Sequence, residues 1–415
     1  MKQTLSLLLI IFPISLISGP LVPEIILAIV SIYANYLILR SKDFSYYKNK
    51  YSIFFILFWF YLMINSLIIS ETSLWSLKSS FFYFRYYIFS ISIIYLLDKK
   101  IVDLKKIGYW LLITFIILAI DLLIQFLFGQ NLIGLKSINN RNSSFFGDEL
   151  ISGSYLIKIF PLIIAILVSK IIKIKKANFI YILLPLFIII LFLTGERAAT
   201  ILGIIFVFAA TSFIIKNLKL KIIYFVLYII LPLILLIFNP NIQKRFFHDT
   251  LSYITSSNYK KHIYSDQKKT DEIIENEKNK IYIFSKLHHG HYFSAYNLFL
   301  EKPVLGNGVN TFRNKCQKFD HEYACSTHPH NFILQILAEI GLLGLIFYLI
   351  VYSYFTLNFL KKNLLSVKII SLCFLIYFFP FSPSGNFFNN WLNMMLYYIV
   401  GLYMYFKLHF NQLKE

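Results

Sequence analysis

Length, composition and charge together indicate a membrane protein. The chain has 415 residues, of which 58% are hydrophobic and 14% are charged. That balance excludes an ordinary soluble domain, and the recurring blocks of about 20 apolar residues match the hydrocarbon thickness of a bilayer. The net charge of +20 would suit a nucleic-acid-binding protein, but the positions of the basic residues account for it without nucleic acid.

Twelve apolar stretches are long enough to be predicted as membrane-spanning helices. They cover residues 4–19, 21–39, 51–70, 81–97, 107–128, 151–169, 178–194, 198–214, 222–238, 332–359, 366–380 and 391–408. The sequence therefore predicts an all-α polytopic membrane protein with about twelve transmembrane helices.

The basic residues alternate from one side of the predicted helices to the other. If both termini lie inside the cell, the internal connections and termini carry 21 lysines and arginines, whereas the short external connections carry four. Cytoplasmic loops are enriched in such residues. We therefore expect both termini to be cytoplasmic, and much of the net charge to orient helices on the inner leaflet.

One external connection, residues 239–331, is far longer than the others. A loop of this length is uncommon unless it folds or carries a function, and this one holds eight of the nine histidines of the chain. We therefore divide the chain into transmembrane helices one to nine (1–238), the long loop (239–331) and transmembrane helices ten to twelve (332–415). Apolar spacing between Phe293 and Glu301 predicts a helix within the loop.

The long loop ends in the segment 326–331, Ser-Thr-His-Pro-His-Asn, directly before the tenth apolar stretch. Pro329 suits the first turn of a helix. Beyond it, Asn331, Gln335 and Glu339 recur every four residues, so they form a polar stripe if the segment is helical. Lipid cannot form hydrogen bonds with these side chains. The stripe therefore predicts either a helix cap with interhelical hydrogen bonds or a reactive site.

Three basic side chains, Arg85, Lys158 and Arg197, lie near the external ends of predicted helices, against the usual distribution. Charge at membrane depth is costly unless it is paired or solvated. One interpretation pairs these residues with carboxylates such as Glu24 or Glu196. The other is a basic pocket for a phosphorylated lipid head group, where an arginine binds phosphate through two hydrogen bonds.

The cysteines and histidines of the long loop suggest two further hypotheses. Cys316 and Cys325 lie in a compartment that permits disulfides, and a bridge between them would close a short ring just before His328. Histidines at short spacing invite a metal site, but no HExxH or CxxC pattern accompanies them. A single histidine that acts as an acid or base is more economical, so we predict neither a metal nor another cofactor.

A secondary transporter is an alternative of a different class. Twelve spans with both ends inside would suit one, but transporter folds consist of matched halves. Here the long loop falls between the ninth and tenth predicted helices rather than at the middle.

Four segments resemble the O-antigen ligase and polymerase superfamily. The main one, residues 325–344, contains the histidine motif and is similar to the family signature. Residues 195–199 (Gly-Glu-Arg-Ala-Ala) resemble a short external arginine motif, and residues 145–156 resemble a segment found in many members. Residues 301–313 resemble the loop element that precedes the histidines, so the resemblance covers about 145–345.

The resemblance implies a GT-C-like fold in the bacterial inner membrane, with a long, partly helical periplasmic loop. It implies a metal-independent, inverting glycosyltransferase of surface polysaccharide or lipopolysaccharide biosynthesis. The donor is a glycan on undecaprenyl diphosphate, and the acceptor is lipid A core in ligases or another lipid-linked glycan in polymerases. Membrane lipids are the remaining partners, and nucleic acid is not one. The histidine–asparagine motif is common in ligases and also occurs in polymerases, so we favour the ligase type with the polymerase as the alternative.

The resemblance also implies roles for single residues. His330, directly before Asn331, is expected to activate the acceptor hydroxyl, with His328, Asn331 and Glu339 in support.

The donor diphosphate is expected to contact Arg197, with Lys158 and Arg85 as further candidates. The chain departs from the family pattern at one point. Many members have an arginine in the long loop ahead of the Pro-x-x-Gly element, where this chain has a glycine followed by His291. The second phosphate contact is therefore His291, Arg313 or neither.

Overall fold

The computed structural model describes residues 2–169, 179–254, 282, 285–319 and 323–412, and over these ranges the chain is helical. In the same ranges, pairing between extended segments is limited to two isolated antiparallel bridges, Gln130 with Lys136 and Ile138 with Arg141. The prediction of an all-α fold is confirmed. The predicted internal connection at 170–177 lies outside the described residues.

Ten α-helices precede the long loop in the described part of the chain. They are α1 (Lys2–Ser15), α2 (Leu21–Ser41), α3 (Lys50–Ile64), α4 (Ser73–Phe81), α5 (Phe84–Asp98), α6 (Leu104–Phe128), α7 (Ser152–Leu167), α8 (Ile180–Thr194), α9 (Arg197–Ile214) and α10 (Leu218–Phe238).

The long loop and the C-terminal region contain the remaining described α-helices. They are α11 (Pro240–Gln243), α12 (Asp249–Ile254), α13 (Lys286–Glu301), α14 (Phe312–Lys315), α15 (Phe332–Leu360), α16 (Leu365–Tyr377) and α17 (Asn390–Gln412). The helix predicted between Phe293 and Glu301 forms the second half of α13.

Each of the twelve apolar stretches is helical over most of its length. Seven helical segments of the described chain are long and apolar enough to cross a membrane: Leu21–Ser41, Lys50–Ile69, Ser73–Asp98, Leu104–Phe128, Arg197–Ile214, Leu218–Phe238 and Phe332–Leu360. Four shorter apolar helices are Lys2–Ser18, Ser152–Leu167, Ile180–Thr194 and Leu365–Tyr377. The chain is therefore a polytopic membrane protein, whereas twelve crossings and a GT-C-like arrangement stay predictions.

The buried fraction of each helix shows whether it lies in the protein core or at the periphery. Hydropathy alone cannot show this, because a helix that is apolar all round suits either a protein core or lipid. Helix α7 is buried almost throughout, and it packs against α6 and α16. Helix α10 is just as apolar, but its buried residues are Tyr228 and Pro232. The centre of the molecule therefore lies around α7 and α16, and α10 is peripheral.

Helix α15 is broken at Gly341, and the segment before the histidines fills the break. Gly341 has φ of +63°, and the N–H groups of Leu342 and Leu343 donate to the carbonyls of Pro303 and Val304 at 2.9 and 3.3 Å. In the same way, the N–H of Gly308 donates to the Glu339 carbonyl at 2.8 Å. Residues 303–308 are therefore clamped to the helix by backbone hydrogen bonds, which satisfy groups that the break exposes.

Candidate active site

A large cavity opens where several loops of the described chain converge. Its volume is about 1960 Å³, which exceeds the range of about 300–1,000 Å³ for an ordinary small-ligand pocket. Residues from the segments 139–151, 285–288, 310–313, 327–330 and 382–390 contribute to its wall. The cavity is large enough for more than one substrate.

Cationic side chains outnumber carboxylates on this wall. Among the described residues that line the cavity, seven are lysine or arginine and two are glutamate. The cations are Lys78, Arg85, Arg141, Lys158, Arg197, Arg245 and Arg313, and the carboxylates are Glu149 and Glu196. A concave surface with this excess of positive charge favours anionic ligands.

The histidine motif is a tight turn that is held by a neighbouring loop. His330 has φ of +56°, a left-handed conformation that histidine adopts more readily than most residues. Its carbonyl accepts from the N–H of Ser384 at 2.9 Å. The Asn331 side chain accepts from the N–H of Leu334 at 3.1 Å, which caps α15, and donates to the Pro380 carbonyl at 2.9 Å. Asn331 therefore fixes the turn and does not line the cavity.

Three other histidines gather around His330. Its ring centroid lies 4.1 Å from that of His328, 5.3 Å from that of His291 and 5.6 Å from that of His288. His288, His328 and His330 line the cavity, whereas His291 is 3% exposed and lies behind them. The sequence placed His288 and His291 in the same long loop, but its pattern did not indicate that they would meet His330.

Hydrogen bonds orient two of these rings. The Nδ1 atom of His288 is 2.7 Å from the Ser285 hydroxyl. The Nδ1 atom of His328 is 2.9 Å from the Thr327 hydroxyl, and its Nε2 atom is 3.3 Å from the Ser384 carbonyl. Within the described ranges, no group of three or more His, Cys, Asp and Glu side chains is arranged to hold a metal ion.

The environment of the histidines favours their neutral form. Burial, with smaller effects from the neighbouring histidines, lowers the pKa of His330 to about 3. Burial also lowers the pKa of His288 and of His328 to about 4, and it lowers the pKa of His291. A neutral imidazole has one ring nitrogen with a lone pair, so the cluster can accept a proton.

Arg197 begins α9, directly after a turn that ends α8. Gly195 has φ of +68° and closes α8 in the left-handed conformation. The Nη1 atom of Arg197 donates to the Thr250 hydroxyl at 2.9 Å, and the Nε atom of Arg245 donates to the Gly195 carbonyl at 3.0 Å. Asp249 lies 3.9 Å from the Nη1 atom of Arg245. The sequence analysis missed Arg245, although its place soon after the external end of α10 was a usable signal.

Glu196 joins two of the segments that carry the family resemblance. Its carboxylate accepts from the N–H of Gly153 at 2.6 Å, the N–H of Ser154 at 3.1 Å and the Ser154 hydroxyl at 2.9 Å. A carboxylate at the first turn of α7 satisfies unpaired N–H groups and suits the helix dipole. The Nζ atom of Lys158, one turn further along α7, donates to the Ser154 carbonyl at 2.6 Å.

Arg85 already has a carboxylate partner. Its Nε atom lies 2.6 Å from Glu24, and its guanidinium lies 4.4 Å from the centre of the Tyr86 ring. The pairing with Glu24 matches the structural interpretation of this cation. Arg85 lines the cavity, but its charge is partly neutralised before any ligand binds.

Glu339 is a structural anchor. It is 1% exposed and accepts from the N–H of Asn310 at 3.2 Å, the N–H of Phe312 at 2.9 Å and the Gln335 side chain at 3.0 Å. The polar stripe of α15 therefore faces the protein interior. Glu339 holds the loop that presents Arg313, and it is not among the residues that line the cavity.

Cys316 and Cys325 form a disulfide with a Cα–Cα distance of 5.0 Å. The bridge lies beside Arg313, since the Sγ atom of Cys325 is 3.7 Å from the Arg313 carbonyl. The two candidates for a second phosphate contact differ in access, because Arg313 lines the cavity and His291 does not.

Comparison with known families bears on the same region. Residues 180–349 match the family described as O-antigen ligase. The matched range runs from the start of α8 into α15 and includes Arg197, Arg245 and the four histidines. No curated protein matches the chain.

Proposed function

We propose, from the match of residues 180–349 to the O-antigen ligase family, that this chain transfers a glycan from undecaprenyl diphosphate to a hydroxyl acceptor. In this proposal the reaction occurs at the periplasmic face of the bacterial inner membrane and serves surface polysaccharide assembly. The observation that carries it is the meeting, in one cavity, of His330 with several cations. A two-substrate transferase needs this combination and also a cavity of this size.

In the proposed reaction the cations stabilise the leaving group. As the bond between the sugar and the diphosphate breaks, negative charge grows on the diphosphate, and fixed cations lower the energy of that state. Arg197 is the main candidate because its planar guanidinium can donate two parallel hydrogen bonds to phosphate. Arg245 shares the Gly195 turn with it, and Lys158 lines the same cavity.

Two of the expected diphosphate contacts have smaller roles in this proposal. Arg85 is held by Glu24, so it contributes less net charge. His291 packs behind His330 without reaching the cavity, so it is left out of the diphosphate site.

His330 is proposed as the base. It takes the proton of the acceptor hydroxyl while the acceptor oxygen attacks the anomeric carbon, and the diphosphate leaves with the electron pair of the broken bond. Attack on the face opposite the leaving group inverts the anomeric configuration. A bound diphosphate raises the pKa of a nearby imidazole because opposite charge favours the protonated form. The donor thus strengthens the base that the reaction needs, without a metal.

The ligase type is our primary proposal, and the polymerase type is the alternative. The test is a surface-glycan gel from a deletion strain, complemented with the wild-type chain or with His330→Ala. Loss of all long chains with a bare core indicates a ligase, whereas core plus one repeat unit indicates a polymerase. An unchanged glycan pattern in the deletion strain would contradict both.

A further inference from the structure

The cavity has a second cationic region on the His328 side, distinct from the region around Arg197. Arg313 lies beside Trp75, and its carbonyl is 3.7 Å from the Sγ atom of Cys325, three residues before His328. Arg197 lies instead at the start of α9, where it donates to Thr250. The ring of His330 lies against those of His328 and His288. Arg313 and Arg197 therefore extend into the cavity from different segments of the chain.

The loop that carries Arg313 is held rigidly from several directions. Asn310 lies at its centre and accepts from the Trp75 ring N–H at 3.2 Å through its carbonyl. The side chain of Asn310 donates to the Ser79 hydroxyl at 3.2 Å and accepts from the Asn386 amide at 3.2 Å. Together with the Glu339 contacts and the disulfide, these bonds fix the backbone from which Arg313 extends.

Arg313 forms no ion pair with a carboxylate among the described residues. Its Nε atom is buried without a hydrogen-bond partner there, and its guanidinium lies 5.9 Å from the centre of the Trp75 ring. The Glu339 carboxylate interacts electrostatically with Arg313, but its hydrogen bonds are made with backbone N–H groups and with Gln335. A partly buried cation without a carboxylate is unfavourable unless a ligand supplies the negative charge.

The charge of the donor does not account for this second region. A diphosphate diester has one acidic oxygen on each phosphorus, and the arginines on the His288 side are sufficient to bind it. Arg313 and Lys78, which follows Trp75 on α4 and also lines the cavity, therefore favour a second anion. A transferase has a second substrate that can supply it.

We propose that the acceptor carries a phosphate or carboxylate group close to the reacting hydroxyl, and that Arg313 binds this group. Lys78 adds positive charge at the exposed edge, and Trp75, which is 44% exposed, offers an apolar face to the adjoining sugar ring. This inference rests on the proposed function and names the chemical class of its acceptor.

The test uses the purified full-length protein with a lipid-linked donor and three acceptors. They are a phosphorylated lipid A core, the same core after removal of its phosphates, and a lipid-linked glycan that carries a hexuronic acid. We expect kcat/KM of the wild type to fall about 10- to 100-fold when the phosphates are removed, the range for loss of a charge-assisted hydrogen bond. Comparison of the phosphorylated and carboxylated acceptors shows which anion is used.

Variants locate the effect at Arg313. Arg313→Gln should raise the acceptor KM about 10- to 100-fold and leave the donor KM unchanged, and Arg313→Lys should recover part of the loss. The matched control is Lys318→Gln, because Lys318 is an exposed cation of the same loop that pairs with Glu301 outside the cavity. This control should behave as the wild type.

Two outcomes would overturn the inference while the proposed function stands. One is equal kcat/KM for charged and neutral acceptors in the wild type, a comparison that needs no variant to fold. The other is an increase of the donor KM, rather than the acceptor KM, in Arg313→Gln. Failure of the wild type to transfer to any acceptor would instead reject the proposed function and this inference with it.

Discussion

At the scale of single residues, His330 is the side chain on which the proposed chemistry depends most. His330→Ala should lower the transfer rate about 10²- to 10⁴-fold, the usual cost of losing one general base, with expression and donor binding intact. His328→Ala should cost less, because His328 packs against the His330 ring and lines the cavity without being the proposed base. The measurement is glycan transfer in vitro with purified variants, donor and acceptor.

The left-handed backbone at His330 calls for a second variant. His330→Asn should be as inactive as the alanine variant, since asparagine tolerates this conformation but cannot act as the base. Full activity in His330→Asn would mean that the residue serves the turn alone. Transfer that EDTA abolishes and zinc restores would revive a metal mechanism.

Arg197 is the residue proposed to bind the leaving diphosphate. Arg197→Lys keeps the charge but loses the two parallel hydrogen bonds, so we expect transfer to fall about 100-fold or more. Lys244→Ala, which removes an exposed cation one residue before Arg245, is the matched control and should be nearly silent. The same transfer assay applies, and wild-type activity in Arg197→Ala would reject the assignment.

The buried histidines predict an unusual pH dependence. Burial lowers the pKa of His330 to about 3, and a base must be unprotonated, so kcat/KM should persist well below the ordinary histidine pKa of about 6.5. The measurement is kcat/KM from about pH 4 to pH 8, because this quantity reports the free enzyme. A half-maximal rate near pH 6.5 would point to an exposed histidine instead.

Stability must be followed in the same experiment. A histidine whose pKa is lower in the folded than in the unfolded state stabilises the fold fully above the unfolded pKa. That contribution is lost as the pH falls from there towards the folded pKa, because the unfolded chain binds more protons. A folding assay at each pH therefore separates loss of the fold from protonation of the base.

At the scale of elements, the break in α15 at Gly341 positions both the histidine turn and the Arg313 loop. A Cβ atom at Gly341 would lie 2.4 Å from the Val304 carbonyl oxygen, in addition to the strain of φ at +63°. Gly341→Ala should therefore lower stability by about 3 kcal/mol or more and reduce transfer. The midpoint temperature of unfolding in detergent measures the first effect.

Gly129 provides the matched control for this prediction. Its φ is +74°, but a Cβ atom there would meet nothing within 4 Å. Gly129→Ala should cost about 1–2 kcal/mol from backbone strain alone. Equal losses of stability in Gly341→Ala and Gly129→Ala would show that the hydrogen bonds of residues 303–308 to α15 do not stabilise the fold.

At the scale of the whole molecule, the distribution of basic residues predicts the orientation. Both termini and the connections at 40–50, 98–106, 170–177, 215–221 and 361–365 should be cytoplasmic, with 239–331 in the periplasm, because basic residues favour the inner side. Cysteine-accessibility mapping on single-cysteine variants measures this. Labelling of residues 239–331 from the cytoplasm would refute it.

The sequence by itself determined the class of the protein and the positions of its helices. Apolar length and periodicity are local properties, so the twelve stretches were recognisable without knowledge of their neighbours. The histidine motif and the arginine at the start of α9 were recognisable as well, since each is a short segment at the end of an apolar stretch.

Tertiary structure alone decided which polar groups meet. Arg85 with Glu24, Arg245 with the Gly195 carbonyl, and the Glu339 carboxylate with the Asn310 N–H are pairs between distant parts of the chain. Residues far apart in sequence meet through helix packing, which local patterns do not encode. For this reason the sequence left Glu339 open between a reactive and a structural role, whereas the structure shows its carboxylate buried against backbone N–H groups.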